Sequence, residues 1–239
     1  MSHQLQAVIF GAIGTIAETS DIQRQAFNAA FAAAGLDWHW NAQIYRDLLK
    51  INGGQQRLRA YRDAAVDRTD VTDTQIATLH QAKTDLYAAM LDRHPLRPRP
   101  GVVETIEMCR SNNIQVALCT STAMANIEGL RAALAELLPF DKFVAIVSIE
   151  SLEHTKPAPD AYSHCLNQLG LPADRVIAIE DTPVSIAAAK TAGICTIATP
   201  GAMTSDQDFS AADLVVPDLS GMTLDRLAAL LRQPASISG

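Results

Sequence analysis

The chain has 239 residues, 48% of them hydrophobic and 19% charged, with a formal net charge of −7 from 19 basic and 26 acidic residues. This is ordinary for a soluble globular protein, and the length suits one sizeable core or a core plus an insert. With no basic run and no apolar run of membrane length, nucleic acid and membrane are excluded as expected partners.

The opening segment MSHQLQ lacks a positive stretch followed by an apolar core, so no signal peptide is expected. Cys109, Cys119, Cys165 and Cys195 are scattered, without metal-type pair spacing. They read as reduced core thiols of a cytoplasmic protein, Cys119 and Cys195 lying inside apolar runs.

In chain order, short runs rich in Val and Ile read as buried strands: Ala7–Phe10, Gln115–Cys119, Phe143–Val147, Val176–Glu180, Cys195–Thr199 and Leu214–Val216. Helical patterns alternate with them over Gly101–Asn112, Met124–Leu137, Ala158–Leu169 and Val184–Ala192. Such alternation predicts an α/β fold, a doubly wound parallel sheet covered on both faces. One interval breaks the rhythm. From Glu18 to His94 apolar residues keep helical spacing (Phe27, Ala30, Phe31, Ala34, then Ile76, Leu79, Lys83, Leu86, Met90), which predicts an all-helical insert. The basic residues from Arg57 to Arg68, alternating with Asp63 and Asp67, read as a solvated helix face. The proline-rich stretch His94–Gly101 suits a stiff connector, and the tail Gln233–Gly239 reads as loose. The expected division is a core of 1–17 and 95–239 and a helical domain of 18–94.

In an open parallel sheet, ligands bind beyond the carboxyl ends of the strands. The residues there are Gly11–Thr15 after the first strand and Thr120-Ser121-Thr122 after the second. Lys156, in HTKPAPD, follows the third, and Glu180-Asp181 close the fourth. Hydroxyls and an ammonium suit phosphate oxygens; adjacent carboxylates suit Mg²⁺. Singly, each has a plainer reading: Thr120, Glu180 and Asp181 as helix caps, Lys156 as a surface lysine. Four polar clusters, each at a strand end, argue for a site.

Together these residues resemble the haloacid dehalogenase superfamily of phosphohydrolases. The likeness is to the branch with a helical cap after the first strand, which holds beta-phosphoglucomutase and the CbbY-type sugar-phosphate phosphatases. The resemblance implies a Rossmann-like core and a small-molecule phosphate ester as ligand. It makes Thr120, Ser121 and Lys156 phosphate-binding, and Glu180 and Asp181 the acidic Mg²⁺ pair. GGQQR (Gly53–Arg57) resembles the cap's substrate loop, and Arg24–Trp40 is similar to CbbY-type chains. By the same likeness Glu18, Arg24, Gly53, Gly54 and Arg57 contact substrate, Arg57 by holding a distal phosphate.

The first motif departs from the family. Its pattern is Phe-Asp-x-Asp-Gly-Thr-Leu, whereas this chain reads Phe10-Gly11-Ala12-Ile13-Gly14-Thr15-Ile16. Gly11 replaces the nucleophilic aspartate and Ile13 the general acid-base, and Gln23 stands where a cap histidine is frequent. No aspartyl-phosphate can form on glycine, and loss of a hydrolase nucleophile costs on the order of 10⁶-fold. The expectations are therefore an impaired phosphatase homologue, weakened Mg²⁺ binding, and a Lys156–Asp181 contact in place of a lysine–nucleophile pair. Two alternatives stay open. One is an active hydrolase using a metal-activated water or a substitute nucleophile such as Thr15, for which no base is evident. The other is a non-catalytic structural or regulatory protein.

Overall fold

The computed structural model describes residues 4–66 and 70–232. The arginine-rich segment at Asp67 and Arg68 and the tail Gln233–Gly239 lie outside the described residues. Six parallel strands form one sheet: β1 (Ala7–Phe10), β2 (Gln115–Cys119), β3 (Ala145–Val147), β4 (Val176–Glu180), β5 (Cys195–Ala198) and β6 (Leu214–Val215), in the order β3-β2-β1-β4-β5-β6. The order reverses at β1, which pairs with β2 through Phe10–Leu118 and with β4 through Phe10–Ile179. β1 is buried on both faces. Val8 and Phe10 join one apolar layer and Ala7 and Ile9 the other, as a strand with period-2 side chains requires.

Between β1 and the rest of the core stand α1 (Ser20–Ala33), α2 (Ala42–Leu48), α3 (Gly54–Asp63) and α4 (Asp73–Leu91). No strand lies among the described residues of this interval. α1 packs along α4. The insert's own core is an aromatic cluster, in which Trp40 lies 4.5 Å from Phe27 and 5.1 Å from Phe31 between ring centroids, with Trp38, Tyr45 and Tyr61 around them. α4 begins with a capping box, Thr72 accepting from Gln75 N and Gln75 Oε1 accepting from Thr72 N.

The sheet is flanked by α5 (Val102–Ser111), α6 (Met124–Ala133), α7 (Asp160–Leu169) and α8 (Pro183–Thr191), with α9 (Leu224–Arg232) after β6. Element ends differ from the sequence reading for local reasons. Gly101 has φ +80, so α5 starts one residue later. α6 stops at Ala133, beyond which Leu134 and Leu138 turn into the core. Phe140–Lys142 form a short 3₁₀ turn ahead of β3, which removes Phe143 and Val144 from the strand. Thr182, rather than Glu180 or Asp181, caps α8 by accepting from Ser185 N at 3.3 Å.

Arg99, in the proline-rich connector, fastens several core loops. Its guanidinium donates to the carbonyls of Gly14 (2.7 Å), Thr199 (2.6 Å), Pro200 (2.9 Å) and Pro217 (2.9 Å). Its backbone N–H donates to Ile16 O at 2.8 Å, so the chain enters and leaves the insert side by side. Among the described residues, no helix is long and apolar enough to cross a membrane. Cys109, Cys119 and Cys165 are buried and Cys195 half-buried, all free thiols, and burial pushes each well above the ordinary thiol value.

Candidate functional site

A cleft of about 900 Å³, counting the open solvent at its mouth, lies between the insert and the carboxyl ends of β1, β2 and β4. The core contributes Gly11–Ile13, Thr120–Thr122, Lys156, Glu180 and Asp181; the insert contributes Gln23, Asn52–Gly54, Arg57, His80 and Lys83. The strand-end clusters expected from sequence thus meet in one place. Glu18 and Arg24 do not join them. The Glu18 carboxylate accepts from the backbone N–H groups of Ser20 (3.0 Å) and Ala202 (3.1 Å). The Arg24 guanidinium is engaged by Asp21 (2.8 Å) and Trp40 O (3.1 Å). Neither the Glu18 nor the Arg24 side chain lines the cleft, although Ser20 beside Glu18 does.

The loop after β1 is a tight turn. Gly14 has φ +82, and a β-carbon there would overlap the Asp181 carboxylate. At Gly11 a β-carbon would overlap Glu180 Oε2 and stand 2.6 Å from Thr15 Oγ1. The Glu180 carboxylate therefore occupies the room beside the glycine. Glu180 is held from behind by Lys156, with Nζ 2.6 Å from Oε1, and by the Tyr162 hydroxyl. Lys156 Nζ also donates to Cys119 O at 3.3 Å. Both charges are almost fully buried, at 3% and 2% exposure. Burial works against the Lys156 charge, but Glu180 and the nearby Cys119 outweigh it and raise the ammonium's pKa. The expected Lys156–Asp181 contact is replaced by Lys156–Glu180, because Glu180 reaches inward past the side-chain-free Gly11.

Asp181 instead accepts from the Thr15 hydroxyl at 3.1 Å. Desolvation, then the Glu180 and Glu18 charges, push its carboxyl up to about 7. Thr15 thus has a carboxylate partner that the sequence did not reveal, but it is 1% exposed and lies behind the loop, outside the cleft lining. Ile13 lines the cleft and packs partly against the core. For Mg²⁺ the donor set is short. Gly11 offers no side-chain oxygen, Glu180 is neutralised by Lys156, and the described residues bring together no three acidic, histidine or cysteine side chains able to hold a metal.

On the phosphate side, Thr120 Oγ1 accepts from Thr122 N at 3.2 Å at the start of the α6 loop. Three buried polar atoms of cleft-lining residues have no hydrogen-bond partner among the described residues: Ser121 Oγ, Asn126 Oδ1 and Asn52 Nδ2. Buried polar atoms are nearly always satisfied, so these mark a place for a polar ligand. Arg57 Nε donates to Ile51 O (2.9 Å) and Leu48 O (3.2 Å), anchoring the guanidinium at the cleft edge beside Gly53 and Gly54.

Sequence reasoning missed Asn52, Asn126, His80 and the chemistry of Lys83. Lys83 is 3% exposed, donates to Gln23 Oε1, and lies 5.1 Å from the Phe27 ring centroid and 4.9 Å from that of Tyr87. Desolvation, with a smaller contribution from Arg57, lowers its pKa to about 7. His80 is pushed down to about 4 by desolvation, then by Lys83 and Arg57, so its imidazole is neutral. The available signal was a lysine at a core position of an apolar helical stripe.

The family profile for haloacid dehalogenase-like hydrolases matches residues 5–193. The chain belongs to the haloacid dehalogenase-like hydrolases. Within the family it is similar to Protein CbbY of Rhodobacter capsulatus, 38% identical over 95% of this chain and 99% of that one. The crystal structure of CbbY from Rhodobacter sphaeroides in complex with phosphate superposes with a TM-score of 0.85 at 32% identity, over 91% of this chain and 96% of that one. A mutant of that CbbY in complex with xylulose-1,5-bisphosphate superposes at 0.83, with the same identity and coverage. The beta-phosphoglucomutase of Clostridium difficile, 19% identical, shares the fold with a TM-score of 0.79 over 95% of this chain and 97% of that one. This member of the family is therefore a CbbY-type phosphatase homologue with a Rossmann-like core and a helical insert.

Proposed function

We propose that the protein binds a phosphorylated sugar in the cleft and has lost the family's phosphoryl-transfer chemistry. The observation that carries this reading is Gly11, with Glu180 turned into the space beside it and locked there by Lys156 and Tyr162. No side chain at position 11 can serve as nucleophile; of the two carboxylates nearby, Glu180 is buried in an ion pair and Asp181 is held by the Thr15 hydroxyl. Ile13 has no proton to give a leaving alkoxide. Thr120, Ser121, Lys156 and the loop amides form the phosphate cradle in this reading, supported by the unpartnered Ser121 Oγ and Asn126 Oδ1. Gly53, Gly54 and Arg57, on residues 18–94 acting as a cap domain, face the distal end of the ligand. The CbbY complexes with phosphate and with xylulose-1,5-bisphosphate support a pentulose or hexose phosphate as its class.

Mg²⁺ binds weakly in this reading, since among the described residues Glu180 and Asp181 are the only carboxylates lining the cleft and Lys156 already balances the first. A cytoplasmic setting is supported by the free thiols. The test joins a phosphatase screen over sugar phosphates with Mg²⁺ to calorimetric titration of the same compounds. Saturable binding without turnover is expected. Turnover near a typical enzyme's ~10 s⁻¹ would establish an active hydrolase, and no binding of any phosphate would leave a structural or regulatory role.

A further inference from the structure

We infer that the Lys83 amine is a nucleophile that forms an imine with the open-chain carbonyl of a phosphorylated aldose or ketose held in the cleft. The inference rests on the phosphate-ester reading above for its substrate. Its own foundation is the wall opposite the phosphate cradle. α4 places Lys83 on the same stripe as Ile76, Leu79 and Tyr87, all buried. An ammonium there loses its hydration and needs a counter-charge, yet Lys83 has no ion pair among the described residues. Its partner is the neutral amide oxygen of Gln23 from α1, and the rings of Phe27 and Tyr87 flank it. The remaining groups facing it are Arg57, itself cationic, and the neutral imidazole of His80. The Gln23 oxygen and the two rings attract the ammonium, but burial and Arg57 oppose its charge and no carboxylate pairs with it among the described residues. A desolvated lysine beside another cationic group is the arrangement that activates an amine toward carbonyls.

Lys83 lines the same cleft as Thr120, Ser121 and Lys156. A short sugar phosphate anchored by its phosphate on the core therefore presents its other end to the insert. The chemistry closes without a co-reactant. The Nζ lone pair attacks the carbonyl carbon, a C–N bond forms, and the carbonyl π pair moves to oxygen, which takes a proton from the nitrogen. The resulting carbinolamine loses its hydroxyl together with the second amine hydrogen as water, leaving C=N. The other lysines differ. Lys156 is tied to Glu180, and Lys50, Lys142 and Lys190 are ion-paired at the surface.

The test is reductive trapping. Wild-type protein is incubated near neutral pH with dihydroxyacetone phosphate and sodium cyanoborohydride, and the lysines are mapped by peptide mass spectrometry. Lys83 should acquire the reduced adduct ~10-fold or more faster than Lys50, Lys142 or Lys190, since its lowered pKa exposes more free amine. Inorganic phosphate should slow that labelling. Lys83→Arg, which keeps a cation but cannot form the imine, should lose the adduct and retain phosphate binding by calorimetry. Phosphate binding without preferential labelling of Lys83 would overturn the imine and leave the phosphate reading standing. Preferential labelling by dihydroxyacetone itself, with no phosphate bound, would sustain a reactive Lys83 and sink the phosphate reading.

Discussion

Gly11 decides what Glu180 does, and any attempt to restore chemistry at this loop meets that carboxylate first. In Gly11→Asp, Glu180 and the Thr15 hydroxyl must give way to the new β-carbon. The double variant Gly11→Asp/Ile13→Asp should release phosphate from sugar phosphates in a malachite-green assay. Gly11→Asp alone should be slower by about 10²–10⁴, the usual contribution of a positioned acid or base. A folded double variant that releases nothing would mean Lys156 and Glu180 stay locked together. At Lys83 the effect is one of pH. Its amine is lowered from the ordinary 10.5 to about 7 in the fold. Below about 7 both folded and unfolded chains carry the charge, and the fold bears the full cost of burying it. Between about 7 and 10.5 the unfolded chain still binds the proton that the folded one has released, so this cost fades. Wild type should therefore gain a few kcal/mol of stability relative to Lys83→Met as pH rises through that window, at no more than roughly 1.4 kcal/mol for each step of one in pH. Urea unfolding at several pH values checks it, and parallel pH profiles would refute it. Thr120, Lys156, Glu180 and Asp181 were legible from sequence because each closes or follows a strand. Lys83 was not, because periodicity registers where a residue sits and is blind to the charge it buries.

Elements position the pieces that single residues then use. β4 ends in Glu180 and Asp181, and α7 supplies Tyr162, so strand and helix share the buried Lys156–Glu180 pair. Removing one partner strands the other charge in the interior. Lys156→Met should cost about 3–5 kcal/mol, and Lys156→Met/Glu180→Gln should recover much of it. Chemical denaturation of the two variants decides, an additive loss counting against the pair. The cap of α8 is a smaller matter: Thr182→Ala should cost about 1 kcal/mol by the same measurement. The strands could be read because a sheet covered on both faces demands unbroken apolar runs. Their ends could not, since the 3₁₀ turn at Phe140–Lys142 and the positive φ at Gly101 arise from packing that short-range patterns do not encode. Glu18 and Arg24 illustrate the same limit, for their backbone partners Ala202 and Trp40 lie far along the chain or across a turn.

Across the whole molecule, Arg99 joins the loops after β1, β5 and β6 through carbonyls of Gly14, Thr199, Pro200 and Pro217. Arg99→Ala should destabilise the protein by about 2–4 kcal/mol, given the strength of hydrogen bonds to charged groups. It should also weaken phosphate binding, because the loop after β1 loses its brace. A thermal melt with a phosphate titration tests both, and unchanged affinity would show that the loop holds its shape unaided. The aromatic cluster of the insert has a consequence of another kind. The chain's two tryptophans, Trp38 and Trp40, both sit in that cluster. Indole emission is thus a private signal of the insert, while far-ultraviolet circular dichroism sums over every helix in the chain. Coincident unfolding curves from the two probes would mean one cooperative transition; an earlier fluorescence change would show the insert melting while the sheet still stands. The molecule carries its own local thermometer, with no label to attach.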